Sequence, residues 1–212
     1  MQLINFKTIL LVILVIVFIE FQKESDYTEG YVLPPQTKIL AFGDSITYGY
    51  GLAPEESYPS QLSNMLQTTV LNEGVNGELS AQGLQRLALV LEKHKPNILI
   101  LCHGGNDILR KNNLSQTKEN IIKMVQLAQK QQVHVILIGV PKFEIISLQT
   151  APLYYEIASE LNVALEDESL EQILENPDLK IDNVHPNKKG YEILSKKLMQ
   201  LIAQTYLPSY SL

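Results

Sequence analysis

The chain has 212 residues, of which 45% are hydrophobic and 19% are charged, so one globular domain with a substantial core is expected and wholesale disorder is excluded. Its formal net charge is −6 and no basic run follows the N-terminus, which argues against a nucleic-acid partner because phosphate binding needs clustered positive charge. The single cysteine, Cys102, excludes an intrachain disulfide, and the four histidines lack metal-type spacing, so no metal site is predicted.

The first 24 residues form a segment of their own. Residues 8–19 are an apolar run whose length suits the hydrophobic region of a signal peptide better than a membrane span of roughly 20 residues. However, Glu20-Phe21-Gln22 is not a small-residue cleavage site, and neighbouring apolar residues lengthen the run. The sequence therefore favours an uncleaved membrane anchor over a cleaved signal. An anchor predicts a cell-envelope protein that faces the periplasm or the exterior, and cleavage would make the protein secreted.

After this segment, residues 25–37 contain Pro34-Pro35 and are predicted to be a linker, which leaves one domain over residues 38–212. Short runs that are apolar on both faces are predicted as strands at 39–42, 69–71, 97–102, 133–140 and 163–165. Helical patterns follow them at 57–66 with Ser57 as the N-cap, 80–95, 115–131, 152–161 and from the Asn187 cap to about 206. This alternation predicts an α/β fold with a central parallel sheet covered by helices on both sides.

The first strand ends at Gly43-Asp44-Ser45, which brings a hydroxyl to the edge of the sheet where open α/β folds bind ligands. Alone, this tripeptide is more often a turn in which polar side chains cap backbone amides. Further loops change that interpretation by supplying, in chain order, Gly74, then Gly104-Gly105-Asn106-Asp107, and then Asp182-x-x-His185.

These residue types together predict acyl transfer, which needs a nucleophile, a base, a group that orients the base, and donors for an oxyanion. Ser45 supplies the hydroxyl, and His185 can take its proton because imidazole titrates near pH ~6.5. Asp182 lies in the same loop as His185 and can fix the tautomer of its ring. The backbone N–H groups of Ser45 and Gly74, with the side-chain amide of Asn106, are predicted to form the oxyanion hole. Each residue alone has an ordinary structural interpretation, but their joint occurrence at loop ends does not.

The same residues carry a resemblance to a known family. The blocks resemble those of the SGNH hydrolases, also called GDSL esterases/lipases, in Gly43-Asp44-Ser45-Ile46-Thr47, Gly74, Gly104-Gly105-Asn106-Asp107 and Asp182-x-x-His185-Pro186. The chain is similar to the bacterial arylesterase, acyl-CoA thioesterase I and lysophospholipase type in Asn72-Glu73-Gly74-Val75-Asn76-Gly77, Gln82-Gly83-Leu84, Arg86-Leu87 and His185-Pro186-Asn187. The resemblance covers residues 38–206 and implies a three-layer α/β/α, flavodoxin-like fold, a Ser-His-Asp triad and no cofactor.

The predicted function is hydrolysis of a small acyl ester or thioester. Two alternatives remain, a carbohydrate O-deacetylase on the same fold and a non-catalytic binding module of the envelope. A broad open groove at the site would favour the deacetylase, whereas an apolar slot would favour acyl-chain substrates. The intact set of candidate residues argues against the module. Cys102 and its neighbour His103 are interpreted as structural, because a small cysteine at the end of an apolar strand is usually buried.

Overall fold

Strands alternate with helices through residues 33–143 and 148–206, the part of the chain that the structure, a computed structural model, describes. The strands are β1 (Ile39–Gly43), β2 (Val70–Gly74), β3 (Ile98–Cys102), β4 (His134–Ile138), β5 (Pro141–Phe143), β6 (Leu148–Thr150) and β7 (Ala164–Glu166). The helices are α1 (Ser45–Tyr48), α2 (Tyr58–Leu66), α3 (Ser80–His94), α4 (Gly105–Leu109), α5 (Leu114–Lys130), α6 (Pro152–Leu161), α7 (Ser169–Glu175) and α8 (Lys188–Thr205).

Five of these strands form a parallel sheet in the order β2-β1-β3-β4-β7, which confirms the predicted central sheet. Every residue of β1 and β3 is buried, as continuous apolar strands require when helices cover both faces. The order reverses between β1 and β3, and open α/β sheets bind ligands at such a reversal, beyond the carboxyl ends of the strands.

Helices form the outer layers of the predicted α/β/α sandwich. Helix α2 packs against α8, and α7 packs beside α8, whereas α3, α5 and α6 pack in succession. Between α2 and α8 the rings of Tyr58 and Tyr191 lie with their centroids 6.1 Å apart, and both side chains are fully buried. Leu87 of α3 and Ile121 of α5 are fully buried in the same way. The amphipathic patterns of the sequence therefore pack as helices do in such sandwiches.

The two predicted caps have different outcomes. Asn187 caps α8 as predicted, because its side-chain oxygen accepts from two N–H groups of the first turn at 3.0 and 3.1 Å. Ser57 occupies the N-cap position of α2, but its hydroxyl donates to the Pro54 carbonyl oxygen at 2.7 Å and caps no amide. The preceding 3₁₀ turn (Pro54–Glu56) supplies that competing acceptor.

Five short elements were not predicted. Helices α1 and α4 lie directly after strands, where loops were expected, and no element was predicted over α7, although its Leu170 and Ile173 are fully buried. Strands β5 and β6 form a small antiparallel pair outside the main sheet. All five elements are too short to show a clear period.

The predicted anchor, residues 1–24, and the first part of the predicted linker lie outside the described residues, and both stay predictions. Within the part that the structure describes, no helix is long and apolar enough to cross a membrane.

Candidate active site

Ser45 stands at the junction of β1 and α1. Asp44 caps α1, since its side-chain oxygen accepts from the Ile46 N–H at 3.1 Å. The turn is tight at Gly43, where an added Cβ would lie 2.2 Å from the Cys102 carbonyl oxygen of β3. The glycine therefore lets the serine turn pass directly beside the neighbouring strand.

A chain of two hydrogen bonds connects three of the predicted residues. Ser45 Oγ lies 2.9 Å from His185 Nε2, and His185 Nδ1 lies 2.8 Å from Asp182 Oδ2. Because a carboxylate only accepts, Nδ1 donates to Asp182 and Nε2 is left to accept the serine proton. The Val184 and His185 N–H groups both donate to Asp182 Oδ1 at 2.9 Å, which holds the carboxylate in place.

The outer side of this chain is half open to solvent. The Asp182 side chain is 45% exposed, whereas that of His185 is 15% exposed. Partial burial raises the pKa of Asp182, but hydrogen bonds from the Val184 N–H and from His185 outweigh it, and the net pKa lies below its usual range. The Tyr50 ring lies over the imidazole with centroids 4.6 Å apart. Sequence reasoning missed Tyr50, because a lone aromatic in a loop has no diagnostic spacing.

The three predicted oxyanion donors are placed differently. Ser45 N–H has no acceptor among the residues that the structure describes, so it is free to bind a substrate oxygen. Asn106 Nδ2 lies 3.2 Å from the Glu78 carbonyl oxygen and 3.3 Å from Asp44 Oδ2. The Gly74 N–H instead donates to the Asn72 side chain at 2.9 Å. In this conformation, therefore, Gly74 does not offer a free donor, and its predicted role stays a prediction.

A cavity of about 70 Å³ adjoins Ser45, Asn106 and His185. Asp44 lies at its polar end and is 1% exposed. Burial raises the pKa of Asp44, although His103 and the Ile46 N–H lower it in part. The rest of the wall is apolar and consists mainly of Ile46, Ile108, Leu109, Val140, Pro141, Leu174 and Val184.

A partly buried ion pair lies behind the site and was not predicted. Arg86 donates to Glu78 through Nε at 2.6 Å and through Nη2 at 2.7 Å, and the Glu78 side chain is 6% exposed. His103 Nε2 lies 3.0 Å from the same carboxylate. Burial raises the pKa of Glu78, but the bonds from His103 and Arg86 outweigh it and leave the pKa below its usual range.

The residues interpreted as structural are indeed enclosed. Cys102 and His103 are both fully buried and neither lines the cavity. Burial raises the pKa of the Cys102 thiol well above its usual range, so it does not form a thiolate near neutral pH. Over residues 33–143 and 148–206, no group of three or more His, Cys, Asp or Glu side chains is arranged to hold a metal ion.

Known proteins of one hydrolase family are similar to this chain in sequence and in structure. The model of the GDSL-like Lipase/Acylhydrolase family matches residues 41–193. An arylesterase of Vibrio mimicus is 27% identical over 173 residues, which are 77% of this chain and 86% of that protein. The thioesterase 1/protease 1/lysophospholipase L1 of Escherichia coli K12 is 28% identical over 175 residues, or 77% of this chain and 84% of that one. AlinE4, an SGNH-hydrolase family esterase of known structure, superposes with a TM-score of 0.63 at 30% identity, covering 82% of this chain and 98% of its own.

Proposed function

Because this chain belongs to the GDSL-like lipase/acylhydrolase family and is a hydrolase of ester bonds, we propose that it cleaves small acyl esters or thioesters through Ser45, His185 and Asp182. The observation that carries this proposal is the pair of hydrogen bonds from Ser45 Oγ to His185 Nε2, at 2.9 Å, and from His185 Nδ1 to Asp182 Oδ2, at 2.8 Å. A nucleophile bonded to a base that is itself oriented is the arrangement that acyl transfer uses.

The proposed reaction has two halves. Ser45 Oγ attacks the carbonyl carbon while His185 Nε2 takes the hydroxyl proton, and a tetrahedral intermediate forms. The carbon–oxygen or carbon–sulfur bond then breaks, His185 returns the proton to the leaving alkoxide or thiolate, and an acyl-Ser45 ester remains. Water repeats the sequence: His185 takes its proton, the hydroxide adds to the acyl carbon, and the acid leaves as Ser45 regains its proton. Asp182 stabilises the imidazolium that forms in each half.

We assign the oxyanion to the Ser45 N–H and the Asn106 side-chain amide. The amide has two hydrogens, and the contact with the Glu78 carbonyl oxygen at 3.2 Å fixes its plane. The second hydrogen faces Asp44 Oδ2 at 3.3 Å, which is longer than the usual N–H···O distance of about 2.9–3.0 Å, so a substrate oxygen can compete for it. Gly74 would add a third donor only if its N–H left Asn72.

The cavity supports binding of the acyl part of a substrate, because its wall beside Ser45 is largely apolar. Its volume is small, at about 70 Å³, which suits a short acyl group. We therefore propose short-chain acyl esters or thioesters as the preferred substrates.

A panel of substrates tests this proposal on the full-length protein in detergent. The panel holds p-nitrophenyl esters of rising chain length, palmitoyl-CoA, a lysophospholipid and acetylated xylose. Short esters should be cleaved fastest, and Ser45→Ala should be inactive, whereas the exposed Ser115→Ala should match the wild type. The triad assignment is wrong if Ser45→Ala keeps full activity, and the sugar alternative gains support if acetylated xylose is the best substrate.

We also propose that residues 8–19 hold residues 38–212 at the cell envelope as an uncleaved anchor. This proposal rests on the apolar run and on the absence of a small-residue cleavage site after it. The protein should then sediment with membranes and keep its first residues. A mature N-terminus near residue 25, found by N-terminal sequencing, would show cleavage instead.

A further inference from the structure

We propose that Arg86 and Glu78 are positioning residues for the oxyanion hole, an inference that rests on the proposed roles of Ser45 and Asn106. The pair, named here the Arg86 clamp, holds the loops that carry the oxyanion donors in register with one another. Neither residue lines the cavity. Their effect on the reaction would therefore pass through Asn106 and the serine turn.

The first contact of the clamp is with the carboxyl ends of β1 and β2. Arg86 Nη2, which also bonds Glu78, donates to the Glu73 carbonyl oxygen at 2.8 Å and makes a longer, shared contact of 3.3 Å with the Gly43 carbonyl oxygen. Gly43 lies two residues before Ser45, and Glu73 lies directly before Gly74. The Val75 N–H also donates to the Gly43 carbonyl oxygen at 3.0 Å. This oxygen therefore connects the end of β1 to the residue that follows β2.

The second contact reaches Asn106 through Glu78. The Glu78 carboxylate is held on one side by Arg86 and on the other by His103, whose ring is fully buried. The backbone carbonyl oxygen of the same residue accepts from Asn106 Nδ2 at 3.2 Å. Because both carboxylate oxygens of Glu78 are held, the Glu78 backbone is held as well. Its carbonyl oxygen in turn fixes the plane of the Asn106 side-chain amide.

The chemistry of the pair explains why arginine is needed. Its planar fork donates along two directions to one carboxylate, while the same end nitrogen reaches two backbone carbonyl groups. The guanidinium carbon also lies 3.9 Å from the centroid of the Phe42 ring, so the aromatic face supports the charge from the core side. The Glu78 carboxylate is only 6% exposed and would be costly to bury without these bonds, so the bonds to Arg86 and His103 hold it in place.

The expected consequence is a loss of kcat with little change in KM. The donors act on charge that develops in the transition state, so displaced donors weaken the transition state and not substrate binding. A displacement of about 1 Å can cost roughly 10²-fold in rate, so Arg86→Gln should lower kcat by roughly 10- to 100-fold. Arg86→Lys should retain more activity, because one ammonium can keep a single charge-assisted bond to Glu78.

A matched control lies on the same helix. Lys93 also belongs to α3 and also bonds an acidic side chain, that of Glu73 in β2, at 3.3 Å, but its own side chain is 68% exposed. Lys93→Gln should leave kcat and KM unchanged. If Arg86→Gln does not fold, Glu78→Gln takes its place, because this change removes the charge and keeps the backbone carbonyl.

A double-variant cycle separates positioning from general damage. Asn106→Ala alone should lower kcat by roughly 10²- to 10³-fold, the usual effect of one lost oxyanion donor. If Arg86 acts through Asn106, the loss in the double variant should be at least about tenfold smaller than the product of the two single losses. Losses that simply multiply, or a rise in KM at constant kcat, would overturn the proposal.

The final measurement does not depend on activity. The Asn106 side-chain NH₂ signals in ¹⁵N-labelled protein can be assigned by their disappearance in Asn106→Ala. They should shift in Arg86→Gln or Glu78→Gln and stay in place in Lys93→Gln. Unchanged Asn106 signals in Arg86→Gln and Glu78→Gln would refute the clamp even if the enzyme were active. Shifted signals in a protein that cleaves no ester would support the clamp and refute the proposed substrate class.

Discussion

Gly74→Ala should slow the reaction by displacing the nucleophile, even though Gly74 does not line the cavity. A Cβ at this position would lie 2.2 Å from the Tyr48 backbone nitrogen and 2.6 Å from its Cα. Both are backbone atoms of α1, so no side-chain rotation relieves the clash. Ordinary van der Waals contact begins at 3.4 Å. To reach it from 2.2 Å, either α1 or the end of β2 must move by 3.4 − 2.2 = 1.2 Å.

The magnitude follows from what α1 carries. Its first residue is Ser45, so a shift of this size moves the nucleophile against His185 by a comparable distance. Misplacement of about 1 Å costs roughly 10²-fold in rate, and overpacking lowers the free energy of unfolding by roughly 1–3 kcal/mol. For a domain of this size, each kcal/mol corresponds to about 2–4 °C in Tm.

The assay compares kcat on a p-nitrophenyl ester and Tm for Gly74→Ala and Gly77→Ala. Gly77 lies three residues after Gly74, in the loop that follows β2, and its φ is 73°. An added Cβ there would meet only the Arg110 side chain, at 3.9 Å. Gly77→Ala therefore carries backbone strain of roughly 1–2 kcal/mol without touching α1. We expect both variants to lose a similar amount of Tm. Only Gly74→Ala should show a fall in kcat. Equal values of kcat in both variants and the wild type would refute the steric reasoning.

Three further outcomes are expected. Asp182→Asn should lower kcat by roughly 10²- to 10⁴-fold but stay more active than His185→Ala, because in the proposed triad Asp182 only orients and stabilises the imidazolium; steady-state kinetics checks this. Tyr191→Phe should lower the free energy of unfolding by roughly 1–3 kcal/mol in urea titration, since its hydroxyl donates at 2.7 Å to the buried Ile46 carbonyl oxygen, which would lose this partner. The pKa of Glu78 is lowered from its ordinary 4.5, so its charge stabilises the fold fully above pH 4.5 and less as the pH falls through the lowered pKa. The Tm gap between wild type and Glu78→Gln should therefore close below pH 4.5.

The sheet and the serine turn could be predicted from the sequence because their signals are local. Apolar runs such as β1 and β3 need no partner to be recognised, and each ends abruptly at glycine or polar residues. The spacing of Asp182 and His185 is likewise contained in one loop, and the structure brings both beside Ser45 at hydrogen-bonding distance.

The contacts that the sequence missed have both local and long-range causes. The Gly74 N–H is occupied locally, because it donates to the side-chain oxygen of Asn72 two residues earlier, and this bond competes with a role in the site. Arg86 meets Gly43 and Glu73 only because α3 packs where it does, and no spacing in the sequence encodes that approach. Helix α7 was missed because its three buried apolar side chains, Leu170, Ile173 and Leu174, lie in a short stretch that also carries acidic residues.

The separation of Ser45 from His185 by 140 positions along the chain has a consequence for synthesis. The nucleophile emerges early, but its base belongs to the loop just before α8, and α8 must dock through Tyr191 to complete the turn that carries Ser45. Under the proposed mechanism, a partly synthesised chain that lacks residues 182–205 would have the serine without its base. Hydrolytic activity would then require synthesis of nearly the whole polypeptide.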